Sequence, residues 1–485
     1  MIRRGNWKKA FSVFMLCAAT PIVSQAQTFK KLVDFNLQNG AEPLATVLVQ
    51  GRDGNFYGTT YEGGMGDYCA LQSGGCGTVF KMTPEGKLTT LHNFCSQSGC
   101  PDGSQPYAGL VLTANGDFYG TTLQYGANQG GTVFRITQEG EFTTLYNFCS
   151  QPYCTDGQAP RAPLVQASDG NLYGTTTGGG GGVDGGTVFR ITRQGKLTTL
   201  LSFAGPDGFA PMGGLIQATD GNLYGTTIGG GTGACGRNGG CGTIFKITLK
   251  GELSTLYNFD EFLNGAYGPT AGLVEGTDGN FYGTSYDQGG NEGAVFSITP
   301  AGTFTVLHTF GYTDGAWPDG ALVQGTDGLF YSTTESGGTY GVGTVFNISS
   351  SGALTTLYNF PDHDGCPFGC DPWGGLVQST KGAFYGLTTG GGPDNEGTIY
   401  GLSTGLGPFV AFVNASGSDG QTGGILGQGF TGTTSVSLNG IPANFKVVSD
   451  TYLTATVPPG ATTGYVTVTT PSGTLISNVP FHVIP

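Results

Sequence analysis

The sequence predicts an all-β protein: a seven-bladed β-propeller closed by an N-terminal strand, followed by an immunoglobulin-like β-sandwich. Three observations support this prediction. The 485 residues include 91 Gly, clustered between short runs of Val, Ile, Leu, Phe, Tyr and Thr, as expected for many short strands joined by turns. The motif "DGNFYGTT" recurs in close copies along the chain. Aromatic residues make up 12% and charged residues 11% of the chain, the composition of a folded rather than a disordered protein.

The first 26 residues have the pattern of an export signal. Four basic residues precede an apolar stretch that is too short to span a bilayer, and "SQA" ending at Ala26 offers a small-x-small cleavage site. We therefore expect residues 1–26 to be a signal peptide. The mature chain would then be secreted or held at the cell surface, in the extracellular space or the periplasm, and the sequence predicts no transmembrane segment.

The charge of the chain argues against two classes of partner. Cleavage after Ala26 removes four positive charges and no acidic residue, which moves the formal net charge from −14 to −18. A surface this acidic repels polyanions. We therefore expect no binding to nucleic acid or to anionic lipid.

The repeated unit is built from four strands. A "YG" landmark, written "YS" once, recurs at intervals of 49 to 62 residues, at Tyr57, Tyr119, Tyr173, Tyr224, Tyr282, Tyr331 and Tyr385. In the fourth copy the strand-like runs are "GLIQAT", "NLYGTT", "GTIFKIT" and "ELSTLYNF". The Asp-Gly step between the first two suits a tight hairpin turn. Four antiparallel strands repeated seven times predict a seven-bladed propeller, in preference to an open β-solenoid.

The two ends of the repeat region complement each other. The last copy ends with "GTIYGLS" at Ser403 and has no fourth-strand run, whereas "TFKKLVDF", Thr28 to Phe35, has the fourth-strand pattern and precedes the first copy. This N-terminal strand should complete the seventh blade and remove an exposed sheet edge. The propeller is therefore predicted over residues 27–403. Because "DGNFYGTT" supplies a turn and a strand in every blade, we interpret it as structural rather than catalytic.

The pattern changes after the repeats. Residues 404–408, "TGLGP", have the composition of a linker, and residues 409–485 contain alternating strand patterns such as "VSLNG", "YLTATVPPG" and "GYVTV". A run of this length is enough for a small β-sandwich.

Both parts resemble known families. With the landmarks "GLVQ", "DGNFYGTT", "GTVFKIT" and "LTTLYNF", residues 28–403 resemble the GloVer tandem-repeat family of exported bacterial proteins, a resemblance that implies no specific activity. The tail is similar to the IPT/TIG immunoglobulin-like domain through "GQGF", "VSLNG", "LTATVP" and "GYVTV". That similarity implies a spacer or a binding module of the kind found in extracellular proteins, including some that handle surface glycans.

Ten cysteines of the mature chain form five local couples: Cys69 and Cys76, Cys95 and Cys100, Cys149 and Cys154, Cys235 and Cys241, and Cys366 and Cys370. An even number in an exported chain predicts disulfides. Metal binding is the rival interpretation, but the spacings differ from those of zinc knuckles and His is scarce.

Strand order predicts which connections share a face. The first-to-second and third-to-fourth turns, all tight, should lie on one face. The second-to-third loops and the links between blades should lie on the other, and every cysteine couple falls in one of its longest connections, 61–76, 95–109, 149–163, 228–241 and 361–375. Because rigid loops lose less entropy on binding, we predict this second face to be the functional one. Protection of long loops from proteolysis is the alternative interpretation of the disulfides.

Aromatic residues are frequent in the connections of that face. The candidates for ligand binding are Trp317, Trp373, Tyr125, Tyr107 and Tyr267, and further rings there are Tyr68, Tyr153, Phe209, Tyr340 and Phe368. Aromatic platforms beside carboxylates and amides suit a glycan, because sugar rings have apolar C–H faces and hydroxyls that need partners. Packing between blades is the simpler explanation for any single ring.

The links also repeat an acidic or amide residue before Gly, at Asn39, Asp102, Asp156, Asp207, Asn264, Asp314 and Asp364. Calcium is the one cofactor that such oxygen ligands would suit. Asp-Gly and Asn-Gly form turns in their own right, and the spacing is not that of an EF-hand, so we favour turn formation and predict no cofactor.

No catalytic constellation is visible. His92 and His308 replace a Tyr of the fourth strand, and His363 and His482 are isolated, so no His-based triad is predicted. Glu62, Glu261, Asp287 and Glu335 are loop acids that a glycosidase or polysaccharide lyase would need in pairs. The leading hypothesis is a non-catalytic, exported binding or scaffold protein for a glycan or a cell-surface partner; an enzyme using loop carboxylates and a structural surface protein are the alternatives.

Overall fold

The computed structural model describes residues 27–44, 46–65, 74–181, 185–235, 240–260, 268–286, 292–362 and 365–484. The predicted signal peptide, residues 1–26, lies outside these ranges. The described chain is all-β, with a single 3-10 turn at Pro152–Cys154 as its helical segment. No helix in this part of the chain has the length and hydrophobicity needed to cross a membrane.

Residues 28–403 form seven four-stranded antiparallel sheets, numbered here 1 to 7 in the order of their first strands. The first strands are Val49–Gln50, Val111–Leu112, Val165–Gln166, Ile216–Gln217, Val274–Glu275, Val323–Gln324 and Val377–Gln378. The second strands are Phe56–Thr60, Phe118–Thr122, Leu172–Thr176, Leu223–Thr227, Phe281–Ser285, Phe330–Thr334 and Phe384–Thr388. The third strands are Thr78–Met82, Thr132–Ile136, Thr187–Ile191, Thr243–Ile247, Ala294–Ile298, Thr344–Ile348 and Thr398–Ser403.

The fourth strands of sheets 1 to 6 are Leu88–Asn93, Phe142–Asn147, Leu197–Ser202, Leu253–Asn258, Phe304–Thr309 and Leu354–Asn359. The fourth strand of sheet 7 comes from the other end of the chain. Thr28–Asp34 pairs antiparallel with Thr398–Ser403, with Thr28 opposite Ser403 and Asp34 opposite Thr398. This is the pairing expected from the fourth-strand pattern of "TFKKLVDF".

The recurrent "DGNFYG" motif folds as a turn locked to its own strand. In sheet 4 the Asp220 carboxylate accepts the backbone N–H of Asn222 at 3.0 Å and the Tyr224 hydroxyl at 2.8 Å. The same Tyr-to-Asp hydrogen bond, at 2.7–3.0 Å, occurs in sheets 1, 3, 5 and 6. The Gly after Tyr leaves room for a third-strand Phe: a Cβ at Gly58 would lie 2.6 Å from Phe80 Cζ. The motif is thus accounted for by folding alone.

The core lies between successive sheets rather than within one of them. The landmark Tyr of one sheet packs on the first residue of the next sheet's second strand, with ring centroids 4.0–4.2 Å apart in the pairs Tyr57–Phe118, Tyr224–Phe281, Tyr282–Phe330 and Tyr331–Phe384. The pair Tyr385–Phe56, at 4.2 Å, joins sheet 7 to sheet 1 in the same way. All residues of the second strands are buried because they pack on neighbours at both faces.

A belt of polar side chains also joins the sheets. The side-chain oxygen at the end of a first strand accepts a backbone N–H from the first-to-second turn of the preceding sheet, at 2.8–3.2 Å. Gln166, Gln217, Glu275, Gln324, Gln378 and Gln50 form this belt. Sheet 2 has Leu112 at this position instead.

Residues 411–484 fold separately into two four-stranded sheets around one buried cluster. One sheet contains Ala411–Phe412, Thr422–Leu426, Tyr452–Thr456 and Phe445–Ser449. The other contains Ile441–Pro442, Ser435–Leu438, Val466–Thr470 and Gly473–Ile476. A parallel pair, Ser416–Ser418 with His482–Ile484, completes this tail.

The tail packs against the turns of the repeat region where the polar belt is interrupted. Leu426 and Tyr452 share a buried cluster with Leu112 and Phe118. The Thr451 hydroxyl donates to the Arg52 carbonyl at 2.6 Å, and the Arg52 guanidinium lies 4.4 Å from the centroid of the Tyr452 ring. The face that carries the tight turns is therefore partly covered by the tail.

The opposite face is formed by the links between sheets and by the second-to-third loops. Among the described residues, isolated bridges join six of the links to the loop of the sheet that each link enters, for example Ser104 to Gln124, Ala316 to Ser336 and Cys370 to Gly390. We call this surface the loop face. It is the face that strand order predicted to carry all the long connections.

Candidate binding site on the loop face

Each link enters its sheet through the same backbone frame around a buried proline. The residue before this proline has a positive φ of 47° to 63° in all seven links: Glu42, Gln105, Ala159, Ala210, Gly268, Trp317 and Asp371. Its carbonyl accepts the N–H of the residue after the second strand at 2.9–3.4 Å. A left-handed conformation is unusual for a residue other than Gly, so its recurrence shows that the frame is set by the fold.

The frame presents side chains that differ from sheet to sheet. The residue after the proline is Leu44, Tyr107, Arg161, Met212, Thr270, Asp319 or Trp373. The residue after the second strand is Tyr61, Leu123, Thr177, Ile228, Tyr286, Glu335 or Thr389. A constant backbone with varied side chains is the arrangement expected of a binding surface on a repeat scaffold.

Aromatic rings from several links meet on this surface. The Tyr107 ring lies 6.5 Å from the Trp373 ring and 6.0 Å from the Tyr61 ring, edge to face in both cases. The Arg161 guanidinium lies 5.3 Å from the Tyr107 centroid. Burial raises the pKa of Tyr107, and the positive charge of Arg161 opposes that rise. Sheets 1, 2, 3 and 7 therefore contribute to one aromatic patch.

A pair of acids adjoins the patch. The Thr270 hydroxyl donates a hydrogen bond to Asp319 Oδ1 at 2.6 Å. Trp373 and Glu335 also lie close enough to this carboxyl group to affect its pKa. Burial raises the pKa of Asp319 well above its usual value, and the Glu335 charge raises it further.

The pKa of Glu335 is raised as well. Burial and the nearby Asp371 charge raise its pKa, while the hydrogen bond to Asp319 acts against that rise. Two carboxyl groups this close cannot both ionise cheaply, and the pKa of each is raised accordingly. We call Tyr107, Arg161, Asp319, Glu335 and Trp373 the loop-face cluster.

The repeat region identifies the family of the chain. A model of the Gloeobacter/Verrucomicrobia repeat matches residues 69–265 and 232–441. The chain belongs to the Gloeobacter/Verrucomicrobia repeat family. The resemblance inferred from the landmark motifs is thereby confirmed for the repeat region. No curated protein is significantly similar to the sequence.

Solved structures similar to this Gloeobacter/Verrucomicrobia repeat protein share little sequence with it. A putative 6-phosphogluconolactonase from Bacteroides uniformis is 15% identical, with a TM-score of 0.42 over 68% of this chain and 88% of the other. A periplasmic gluconolactonase from Pseudomonas aeruginosa is 17% identical, with a TM-score of 0.43 over 65% and 84%. A PQQ-bound aldose sugar dehydrogenase from Streptomyces coelicolor is 14% identical, with a TM-score of 0.38 over 61% and 92%. Similarity at this level assigns no activity to the chain.

The predicted ligand-binding residues of this repeat protein do not all come together. Tyr107 and Trp373 lie in one cluster. Trp317 sits in the equivalent link but two frame positions earlier than Trp373, before its proline rather than after it, and its ring lies 5.7 Å from Tyr286. The structural counterpart of Trp373 in that link is Asp319, because both residues follow the proline of the frame.

Tyr125 takes a different position from the other candidates. It occupies a site of positive φ, 59°, where five of the other six repeats have Gly, and it packs against the buried cluster that contains Cys95 and Cys100. Tyr267 and Tyr68 lie outside the described residues. Of the remaining predicted rings, Tyr153, Tyr340 and Phe368 are exposed and Phe209 is half-buried.

The cysteines of the repeat region follow the prediction with one difference. Disulfides join Cys95 to Cys100, Cys149 to Cys154 and Cys235 to Cys241. Cys76 is also disulfide-bonded, and Cys69 lies outside the described residues. Cys366 and Cys370, predicted to form a bridge, are instead buried free thiols hydrogen-bonded to each other.

The position of the cysteines in the link explains this correction. The carbonyls of Cys100, Cys154 and Cys366 accept equivalent backbone N–H groups, so these three residues are structurally equivalent. Cys95 and Cys149 follow the last Phe of a sheet directly, where the seventh link has Pro361. Cys370 instead occupies the bridge position of Ser104 in the second link. The Cys366–Cys370 couple therefore has nearly the same sequence spacing as the other link couples, but its two residues occupy different backbone positions.

The acidic and amide side chains of the links accept hydrogen bonds within their own turns, which is the role that the sequence predicted for them. Asp102, Asp156 and Asp314 accept hydrogen bonds from link N–H groups. They also bond to a fourth-strand ring, in the pairs His92–Asp102 at 2.9 Å, Tyr146–Asp156 at 2.7 Å and His308–Asp314 at 2.8 Å. Asp207 and Asn39 accept link N–H groups as well. Asn264, Asp364 and His363 lie outside the described residues.

Of the other predicted loop acids, Glu62 is described, and it lies among different charges from those around Glu335. Glu62 lies near Glu42 and Glu396, and burial together with their charges raises its pKa. Glu261 and Asp287 lie outside the described residues. His482 is in the tail, beside Thr463. Sequence reasoning missed Arg161, Thr270 and Asp319, although aligning the residue after each link proline would have placed all three beside Tyr107 and Trp373.

Proposed function

We propose that the protein is an exported, non-catalytic binding protein whose loop face takes a glycan. In this proposal residues 1–26 are a signal peptide and residues 27–403 form a closed seven-bladed propeller. Residues 404–408 are a linker, and residues 409–485 are an immunoglobulin-like domain of the IPT/TIG type. The disulfides in the described links support an extracellular or periplasmic location, because such bonds persist in oxidising compartments.

Contacts between the first and last sheets support the closed ring. Thr380 in sheet 7 donates its N–H to Gln50 in sheet 1, and Tyr385 stacks on Phe56. These contacts repeat those between sheets that follow one another in sequence. A ring would direct the seven frames towards a common axis, which brings residues from distant links into one site.

The contact between Tyr107 and Trp373, next to the Asp319–Glu335 pair, carries the proposal. The two aromatic rings offer apolar surface to the C–H face of a pyranose, while the carboxyl oxygens of the acid pair and the Thr270 hydroxyl oxygen offer acceptors to its hydroxyls. A few polar groups beside aromatic walls are typical of small-molecule sites.

A binding experiment tests the proposal. The mature, oxidised protein is titrated against a panel of neutral and acidic polysaccharides, with and without calcium, and each mixture is assayed for released sugar. We expect selective binding that Trp373→Ala abolishes and no release of sugar. The control is Tyr465→Ala, which removes a ring of the tail that is 46% exposed.

Each outcome separates the alternatives. Binding that survives Trp373→Ala would place the ligand elsewhere. Release of sugar would establish an enzyme, and a requirement for calcium would add a metal to the site. An absence of binding across the panel would leave a cell-surface protein partner or a purely structural role.

A further inference from the structure

We propose that the loop-face cluster recognises an acidic sugar, a hexuronate, and that Arg161 binds its carboxylate. This inference rests on the proposed glycan-binding function and names the ligand class. It is carried by the position of one unpaired cation among aromatic rings, in a protein whose formal net charge is −14.

The charge of Arg161 has no protein counterpart in the described part of the chain, where the ion pairs of Lys31, Lys81, Arg135 and Lys246 each involve an Asp. Arg161 instead lies over the Tyr107 ring, and its Nε is buried without a hydrogen-bond partner among the described residues. An anion beside this guanidinium would supply the counter-charge that the described residues do not provide there.

The neighbours of Arg161 fit the rest of a sugar. Gln105 precedes the proline of the Tyr107 link and belongs to the same backbone frame as that ring. On the other side of Tyr107, Trp373 leads to the Asp319–Glu335 pair. The site therefore runs from a cation, across aromatic rings, to groups that bond hydroxyls.

Electrostatics are compatible with an anionic ligand at the Arg161 end. Burial raises the pKa of both Tyr61 and Tyr107, the Glu62 charge adds to the rise at Tyr61, and the Arg161 charge opposes the rise at both rings. The raised pKa values of Asp319 and Glu335 favour their neutral forms, which repel an anion less than two carboxylates would. A guanidinium stacked on an aromatic ring presents a planar fork of N–H groups, which matches a carboxylate.

The test compares one polymer in two charge states. Polygalacturonate and the same polymer after reduction of its carboxyl groups differ only in the anion. Titrations are run at about 0.15 M salt, where the Debye length of about 8 Å screens the distant acidic surface. We expect the wild type to bind polygalacturonate at least about tenfold more tightly than the reduced polymer.

Variants assign that preference to Arg161. Arg161→Gln should bind both polymers equally, and Arg161→Lys should retain only part of the preference. The control is Lys196→Gln, which removes one positive charge from a third-to-fourth turn and should leave the preference unchanged. Thermal unfolding checks that each variant is folded. If Arg161→Gln does not fold, the test rests on the ratio of wild-type affinities for the two polymers and on the loss of that preference in Arg161→Lys.

The outcomes distinguish this inference from the proposed function. Equal wild-type binding to both polymers, lost in Trp373→Ala, would refute the acidic-sugar class and leave glycan binding intact. Equal binding of dextran sulfate and polygalacturonate, both dependent on Arg161, would replace the carboxylate by a general anion and overturn the hexuronate. No binding to any polysaccharide would overturn both proposals.

Discussion

Gln50 accepts a hydrogen bond from the backbone N–H of Thr380 at 3.0 Å, across 330 positions of sequence. Every other member of the polar belt makes this bond to the sheet that precedes it in the chain. The bond between Gln50 and Thr380 therefore joins the last sheet to the first with the chemistry that joins consecutive sheets.

Replacing Gln50 tests whether the two ends are joined in solution. Gln50→Leu removes the bond to Thr380 and the bond to the Gly54 carbonyl. At about 0.5–1.5 kcal/mol per bond, we expect the free energy of unfolding to fall by about 1–3 kcal/mol in urea titrations. Leu occurs naturally at this position in sheet 2, as Leu112, so the side chain fits.

Gln324→Leu is the matched control, because Gln324 makes the same two bonds between consecutive sheets 5 and 6. Equal losses in the two variants are expected from a ring. A loss in Gln324→Leu with none in Gln50→Leu would contradict the joining of sheets 7 and 1.

The turn acid Asp220 should stabilise the protein only above acidic pH. Burial acts to raise its pKa, but hydrogen bonds from Lys246, Asn222 and Tyr224 lower it to about 2. A lowered folded-state pKa gives stability that is present above the unfolded value of 3.8 and lost as pH falls through about 2. Because the carboxylate is partly exposed, we expect Asp220→Asn to cost less than about 1 kcal/mol at pH 7.

Thermal unfolding between pH 2 and 7 measures this contribution. The deficit of Asp220→Asn relative to wild type should shrink as pH falls below 4. Asp394→Asn, at an exposed loop acid, should show no such trend. A deficit that stays constant down to pH 2 would assign the effect to the turn geometry instead.

Asp319 should show the opposite pH dependence. Its folded-state pKa is raised, so its contribution to stability is complete below the unfolded value of 3.8 and is lost as pH rises through the folded value. Asp319→Asn keeps an acceptor for Thr270 and carries no proton to lose. We expect this variant to unfold at a higher temperature than wild type at pH 7 and at the same temperature near pH 3.

Asp419→Asn, at an exposed residue of the tail, is the control for this comparison. If Asp319→Asn were less stable than wild type at pH 7, burial of the ionisable Asp319 carboxyl group would not be a net cost to the folded protein at that pH. The same variant should also weaken glycan binding if the pair bonds ligand hydroxyls.

Arg52 should hold the tail against the repeat region. Its guanidinium lies over Tyr452 and donates to the carbonyls of Ala114 and Asn115. Arg52→Ala removes both contacts, so we expect faster hydrogen exchange in residues 404–408 and in the tail strand Tyr452–Thr456. Arg135→Ala, which breaks an ion pair with Asp117, is the control. Unchanged exchange in Arg52→Ala would show that other contacts suffice.

Cys366 and Cys370 should behave as protected thiols. Burial raises the pKa of both, which lowers the reactive thiolate fraction at neutral pH. We expect iodoacetamide to label them only after denaturation, without any reductant, whereas Cys95 and Cys100 should require reduction first. Mass spectrometry of the peptides distinguishes these cases. An unlabelled Cys366–Cys370 peptide two hydrogens lighter would reveal a disulfide there.

Some features of this protein were predictable because they depend on residues close in sequence. The Asp-Gly turn and the strand before Tyr224 are local, and seven copies of one pattern predicted seven similar sheets. The complementary ends, Thr28 to Phe35 and the third strand ending at Ser403, could be matched because their patterns are those of neighbouring strands.

Other features depend on where distant residues meet. Trp317 and Trp373 look equivalent in "AWPDG" and "DPWGG", but the proline frame separates them by two positions and aligns Trp373 with Asp319. The Cys366 and Cys370 couple resembles the other two link couples in spacing, but Pro361 occupies the position that Cys95 and Cys149 have in those links.

Hydrophobic alternation and turn chemistry act over a few residues, so the amino-acid sequence was enough to predict the all-β class, the repeated sheets, the Gloeobacter/Verrucomicrobia repeat family and the set of connections that share the loop face. The cluster of Tyr107, Arg161, Asp319, Glu335 and Trp373 is visible only in the folded chain. These residues come from the links and loops of four separate sheets, and the raised pKa of Asp319 comes from the burial that the packing of the sheets produces.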